Sequence, residues 1–87
     1  MSLHFEKLSG PIYPAYLVVG DYSIALEPEL VEKLKGIVTE ENDVFLKDMT
    51  DQVGSNRYLR EMIQEAIGKA ENKAALVFTL RKGLAEL

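Results

Sequence analysis

Cysteine is absent from this chain, which excludes a disulfide framework and a thiolate metal site. Because small secreted domains without disulfides are uncommon, we expect a cytoplasmic protein. Long apolar runs are also missing: the longest, Ala15 to Val19, is far shorter than the roughly 20 residues that a membrane-spanning helix needs. The opening residues lack the charged and apolar regions of a secretory signal, so we expect neither targeting nor contact with a membrane.

Residues suited to catalysis are scarce as well. His4 is the single histidine, and the sequence has no acidic partners at a spacing typical of zinc sites. Neither a P-loop nor a G-x-G-x-x-G pattern occurs. The acids Glu40, Glu41 and Asp43 lack the alternation around a central glycine that a calcium-binding loop requires. We therefore expect no catalytic residues, no metal and no cofactor, and the balance favours a protein that is not an enzyme.

The net charge of −4 is unevenly distributed along the chain. Residues 27–51 carry a net charge of −5, whereas residues 52–87 carry +2. Nucleic-acid binding depends largely on neutralising phosphates, so the acidic middle disfavours DNA or RNA as a partner. The acidic and basic segments could instead meet in a symmetric assembly, although ordinary solvated faces explain the same pattern and are the simpler interpretation.

The length of 87 residues, 47% of them apolar, fits one compact domain over residues 1–87. A domain of this size buries only roughly 60 to 65% of the surface that its unfolded chain exposes. Association between copies would bury more apolar surface. We therefore expect a homo-oligomer, most simply a dimer.

Three strands are predicted in the first third of the chain. The segment "LHFEKLS" alternates apolar and polar residues and ends at the turn residues Gly10-Pro11. The β-rich runs "AYLVV" and "YSIAL" are separated by Gly20-Asp21, a two-residue loop typical of a tight hairpin. These segments predict an N-terminal sheet.

Two amphipathic helices are predicted further along. The first opens at Pro28, since proline is tolerated in the first helical turn, and its apolar stripe consists of Leu30, Val31, Leu34, Ile37 and Val38. The second runs from Asn56 to about Asn72, with apolar residues at helical spacing: Tyr58, Leu59, Met62, Ile63, Ala66, Ile67 and Ala70. Each helix needs an apolar surface to cover.

Residues 39–54 and 74–87 admit two interpretations. In the first segment, Val44-Phe45-Leu46 favours a short strand, although a helix capped by Thr39 would align Phe45, Met49 and Val53. In the second, the β-favouring run 77–79 predicts a final strand, although Val77, Leu80, Leu84 and Leu87 keep helical spacing. With both segments taken as strands, we predict an α+β fold: a two-layer sandwich with an about four-stranded sheet covered by two helices.

One helix start is the candidate ligand site. Ser55 or Asn56 would cap the helix, and Arg57 and Arg60 stand near its positive end, where a phosphate or carboxylate could bind. An acid such as Asp51 or Glu61 could complete a small site there. The simpler interpretation is structural, because such caps are common and Arg57 to Glu61 is an ordinary i,i+4 ion pair.

Three tyrosines around the first turn and hairpin form a candidate interface: Tyr13, Tyr16 and Tyr22. Packing at the edge of the core is the competing explanation for them. Two functional hypotheses follow. The preferred one is a non-catalytic interaction or regulatory module that self-associates, and the alternative is a small anion-binding domain or enzyme that uses residues 55–60.

Overall fold

The computed structural model describes residues 2–87. Three strands are followed by four helices. Their bounds are β1 (Leu3–Lys7), β2 (Ala15–Val19), β3 (Tyr22–Leu26), α1 (Pro28–Lys35), α2 (Asn42–Val53), α3 (Arg57–Gly68) and α4 (Lys73–Ala85). The predicted α+β class is confirmed.

The sheet is antiparallel, with strand order β1-β2-β3. Leu3 lies opposite Val19, and Leu17 lies opposite Ile24. The predicted hairpin joins β2 to β3 through Gly20-Asp21, and Gly20 has a φ of 60°, a left-handed conformation that glycine adopts without a steric penalty. Successive side chains alternate between the two faces, so one face of the sheet enters the core and the other meets solvent.

Helices α3 and α4 contact the inner face of the sheet, and α4 packs chiefly on β1. At that crossing Gly83 permits close approach, since a Cβ there would lie 3.3 Å from the Cβ of Phe5. Helices α1 and α2 pack against each other and against α4, and α2 also contacts α3. The fully buried large side chains are Phe45, Leu17, Leu26, Leu34, Met49, Ile63, Leu80, Leu84, Val19 and Val77.

The strand predicted within residues 39–54 is wrong, because α2 occupies Asn42–Val53. The side chains of Phe45, Met49 and Val53 fall on one helical face and are buried. Contacts with the three other helices outweigh the β-preference of the short apolar run. Glu41, not Thr39, is the N-cap residue, and its side chain makes no capping hydrogen bond.

The final strand predicted within residues 74–87 is also wrong, since α4 spans Lys73–Ala85. The Asn72 side chain caps this helix by accepting a hydrogen bond from the Ala75 N–H at 3.0 Å. Val77, Leu80 and Leu84 face the core at helical spacing. The described residues thus form a three-stranded sheet, not one of about four strands.

The two-layer arrangement stays a prediction, because α1 and α2 pack largely on other helices. Within residues 2–87, no helix is both long enough and apolar enough to cross a membrane.

Candidate functional site

The four residues predicted as an anion site lie together at the start of α3. Gly54, Ser55, Asn56, Arg57 and Arg60 line a shallow cavity of about 260 Å³. Asn56 is the N-cap residue, and its side-chain oxygen accepts a hydrogen bond from the Leu59 N–H at 2.8 Å. One free backbone donor of the helix start is therefore satisfied within the chain.

Both arginines at this helix start have partners in the same chain. Arg57 Nε donates to Glu61 Oε1 at 3.1 Å. Arg60 donates to the Gly54 carbonyl oxygen at 3.4 Å and lies 3.7 Å from an Asp51 carboxylate oxygen. An anion would have to compete with these carboxylates. Anion binding here stays a prediction, and these contacts support the structural interpretation of the segment.

Gly54 holds this segment close to the end of α2. A Cβ at residue 54 would lie 2.7 Å from the Thr50 carbonyl oxygen and 3.0 Å from the Cβ of Arg60. Real Cβ atoms do not approach a carbonyl oxygen so closely, so the junction between α2 and α3 needs glycine. The glycine is explained by packing, without a phosphate.

The three predicted interface tyrosines do not share one surface. Tyr13 lies in the exposed loop between β1 and β2. Tyr16 points from β2 to the outer face of the sheet, where its hydroxyl donates to Glu6 Oε2. Tyr22 begins β3 opposite Val19 and is on the inner face. Of the three, Tyr22 is the one that extends an exposed aromatic ring beside the helices.

A hydrogen-bonded row crosses the outer face of the sheet. Ser2 Oγ lies 2.6 Å from His4 Nδ1, and His4 Nε2 lies 3.0 Å from Glu6 Oε1. The Tyr16 hydrogen bond, followed by that with His4, lowers the pKa of Glu6, and Glu6 in turn raises the pKa of Tyr16. Alternate residues of an extended chain share a face, which aligns Ser2, His4 and Glu6, and the strand register sets Tyr16 opposite Glu6. We interpret the row as cross-strand stabilisation of the sheet.

A groove of about 650 Å³ runs between α2 and α3. Its lining combines acids and bases, including Asp43, Asp51, Lys47, Arg60 and Lys73. Lys47 Nζ lies 3.4 Å from Asp51, which also lies near Arg60. Three bases thus stand against two acids, and Asp51 is shared between Lys47 and Arg60, so the groove has a mixed charge with an excess of one base.

A second cavity, of about 530 Å³, lies between the β2–β3 turn and α3. Its lining includes Asp21, Tyr22, Tyr58, Met62 and Glu65. The sequence placed Tyr58 and Met62 in the apolar stripe of α3, and nothing in the pattern indicated that they lie beside Tyr22. We call this cavity, with those five lining residues, the tyrosine cleft.

Two carboxyl groups, those of Glu40 and Asp48, lie close together within the acidic residues 27–51. The side chain of Asp48 lies beside that of Glu40, and their interaction raises the pKa of Glu40. One carboxylate oxygen of Glu40 is buried without a hydrogen-bond partner in the described part of the chain. Arg81 donates instead to the main-chain carbonyl oxygen of Glu40, and its guanidinium carbon lies 5.2 Å from the centre of the Phe45 ring.

We expect Glu40→Gln to raise the melting temperature at neutral pH. Because the pKa of Glu40 is raised in the folded state, its protonation stabilises the fold at pH values below the ordinary carboxyl pKa. This contribution is lost as the pH rises through the raised pKa, leaving repulsion from Asp48. The glutamine amide can donate to Asp48 and removes that repulsion. The gain should shrink as the pH falls into the carboxyl range.

Thermal unfolding between acidic and neutral pH checks this expectation. Glu41→Gln is the matched control, because it removes the neighbouring charge from an exposed side chain at the start of α2. Equal effects of the two substitutions at every pH would contradict the carboxyl pair.

Within residues 2–87, no group of three or more histidine, aspartate or glutamate side chains is arranged to hold a metal ion. Comparison of the chain with protein-family models, with curated proteins and with solved structures finds no match.

Proposed function

We propose that this protein is a non-catalytic interaction module of the cytoplasm that self-associates by pairing the β3 strands of two copies. The proposal rests on one observation: β3 is an open edge of the sheet and carries no charged residue. Within residues 2–87, no further strand pairs with the outer side of β3, so its outward backbone N–H and C=O groups are available for pairing. An added strand would satisfy them.

The β3 edge lacks the usual features that prevent edge-to-edge pairing. Its five residues, "YSIAL", include no charge and no proline. The opposite edge strand, β1, carries His4, Glu6 and Lys7 and is packed against α4. Natural proteins commonly place charges on exposed edges to block association, which makes the uncharged edge the favoured contact.

Symmetry and charge indicate how two copies would pair. An isologous dimer places the β3 strands antiparallel across a two-fold axis, giving a continuous six-stranded sheet. An axis at Ile24 would put Asp21 opposite Glu27 of the second copy, and like charges directly opposite each other are destabilising. An axis at Ser23 avoids this and sets Tyr22 opposite Ile24. We therefore favour the axis at Ser23.

The substitution Ser23→Lys tests the proposal. It would place two ammonium groups face to face at the axis, and we expect it to weaken dimerisation about tenfold or more. Ser9→Lys is the matched control, because it makes the same chemical change at an exposed position in the β1–β2 loop. Sedimentation equilibrium from micromolar to millimolar protein measures both variants beside the wild type.

We expect the wild type and Ser9→Lys to dimerise with the same affinity. Added salt should strengthen both dimers, since it screens the repulsion between two like-charged chains, of net charge −4 in the wild type and one unit less negative in Ser9→Lys. A wild type that stays monomeric at millimolar concentration would refute self-association. A Ser23→Lys dimer as strong as the wild type would refute the β3 interface.

A further inference from the structure

The tyrosine cleft exposes two aromatic rings that the fold leaves uncovered. Tyr22 is 56% exposed at the start of β3, and Tyr58 is 65% exposed in the first turn of α3. Val19 and Met62 supply apolar surface between them. An exposed pair of rings over an apolar floor can cover the aliphatic part of a side chain and present π-faces to its charged end.

The charges around the cleft have one sign. Among the described residues that line it, Asp21 and Glu65 carry carboxylates and none is basic. Asp21 makes no ion pair within residues 2–87, whereas Glu65 Oε1 lies 2.9 Å from Lys69. The Lys69 hydrogen bond lowers the pKa of Glu65. Glu65 is thus already paired, and Asp21 is the carboxylate of the lining that can attract a cation.

The hydroxyl groups of Tyr22 and Tyr58 lie close together in the cleft. Interaction with the Tyr22 hydroxyl raises the pKa of Tyr58. Both exposed rings offer a π-face for stacking, and their hydroxyls can exchange hydrogen bonds with a bound group.

We propose that the tyrosine cleft binds the arginine side chain of a basic partner peptide. The planar guanidinium would stack on the Tyr22 and Tyr58 rings and pair with Asp21, while its aliphatic stem would lie on Met62. A compact ammonium group is more strongly hydrated and stacks less well, so arginine is preferred to lysine. The site goes beyond self-association, because its ligand is a different chain and the cleft is complete within one copy.

The experiment is a titration monitored by NMR at protein concentrations where the chain is monomeric. The probe is N-acetyl-arginine methylamide, and the comparison probes are the corresponding lysine, norleucine and glutamate derivatives. We expect the arginine probe to shift the Gly20, Tyr58 and Met62 resonances, the lysine probe to do so less, and the neutral and anionic probes to leave them unchanged. Added salt should weaken the response.

Substitutions separate the contributions of charge and ring. We expect Asp21→Asn and Tyr58→Leu each to lower the affinity for the arginine probe about twofold to fivefold. Glu61→Gln is the matched control: it removes an exposed carboxylate from the same helix outside the cleft and should leave the affinity unchanged.

Equal shifts with the norleucine probe would overturn the proposal, as would an unchanged spectrum with arginine. Since the titration uses the monomer, a failure of dimerisation leaves its outcome intact, and the two proposals can fail separately.

Discussion

Replacing Phe45 with alanine is expected to lower the free energy of unfolding by about 3 to 5 kcal/mol. The Phe45 ring is 0% exposed within α2, in a core that this helix shares with α1, α3 and α4. Removing it leaves a cavity that the surrounding helices can fill only in part. It also removes the aromatic face under the Arg81 guanidinium, which lies 5.2 Å from the ring centre.

Phe78→Ala is the matched control for this prediction. Phe78 belongs to α4 and is 69% exposed, so its truncation should change stability by no more than about 0.5 kcal/mol. Urea unfolding followed by circular dichroism measures both variants. Comparable losses would show that Phe45 does not occupy the core and would contradict the placement of α2.

Replacing Gly54 with alanine is expected to destabilise the protein by about 1 to 3 kcal/mol. The added methyl group would meet the Thr50 carbonyl oxygen at 2.7 Å and the Cα of Arg60 at 3.1 Å. Both are backbone atoms, so relief requires the backbone at the end of α2 and at the start of α3 to shift rather than a side chain to rotate. Urea unfolding gives the loss directly.

Gly68→Ala makes the same chemical change and is expected not to lower the stability of the protein. Gly68 is the last residue of α3, and a Cβ there meets nothing within 4 Å. Alanine has the better helix propensity, so the variant should be as stable as the wild type or gain up to about 1 kcal/mol. If the two alanine variants unfold alike, the close approach at Gly54 is not what fixes the helix junction.

The sequence predicted those elements whose signals are local. Gly20-Asp21 between two β-rich runs identified the hairpin. The apolar stripe after Asn56 identified α3 and left its cap between Ser55 and Asn56, but it extended the helix to about Asn72, beyond its end at Gly68. Helices α2 and α4 were predicted as strands because short β-favouring runs, 44–46 and 77–79, were given more weight than the helical spacing that each segment also shows. Phe45 and Val77 are buried by contacts with other elements, and those contacts decide between helix and strand.

Contacts between distant elements also limited the prediction of the candidate sites. The anion site was composed of neighbours in sequence, and the structure duly places them together around one small cavity. The i,i+4 spacing indicated the Arg57–Glu61 pair, but the sequence could not show that Arg60 lies near Asp51 or that Tyr58 lies beside Tyr22. Both facts depend on how helices dock after the elements have formed.

The crossing of Gly83 over Phe5 has a consequence for synthesis on the ribosome. Strand β1 emerges first and α4 emerges after every other described element, yet α4 is the helix that chiefly covers β1. The nascent sheet therefore keeps part of its apolar face exposed to water until α4 has left the ribosome. Folding of the described domain should be completed only then, when β1 and α4 can meet.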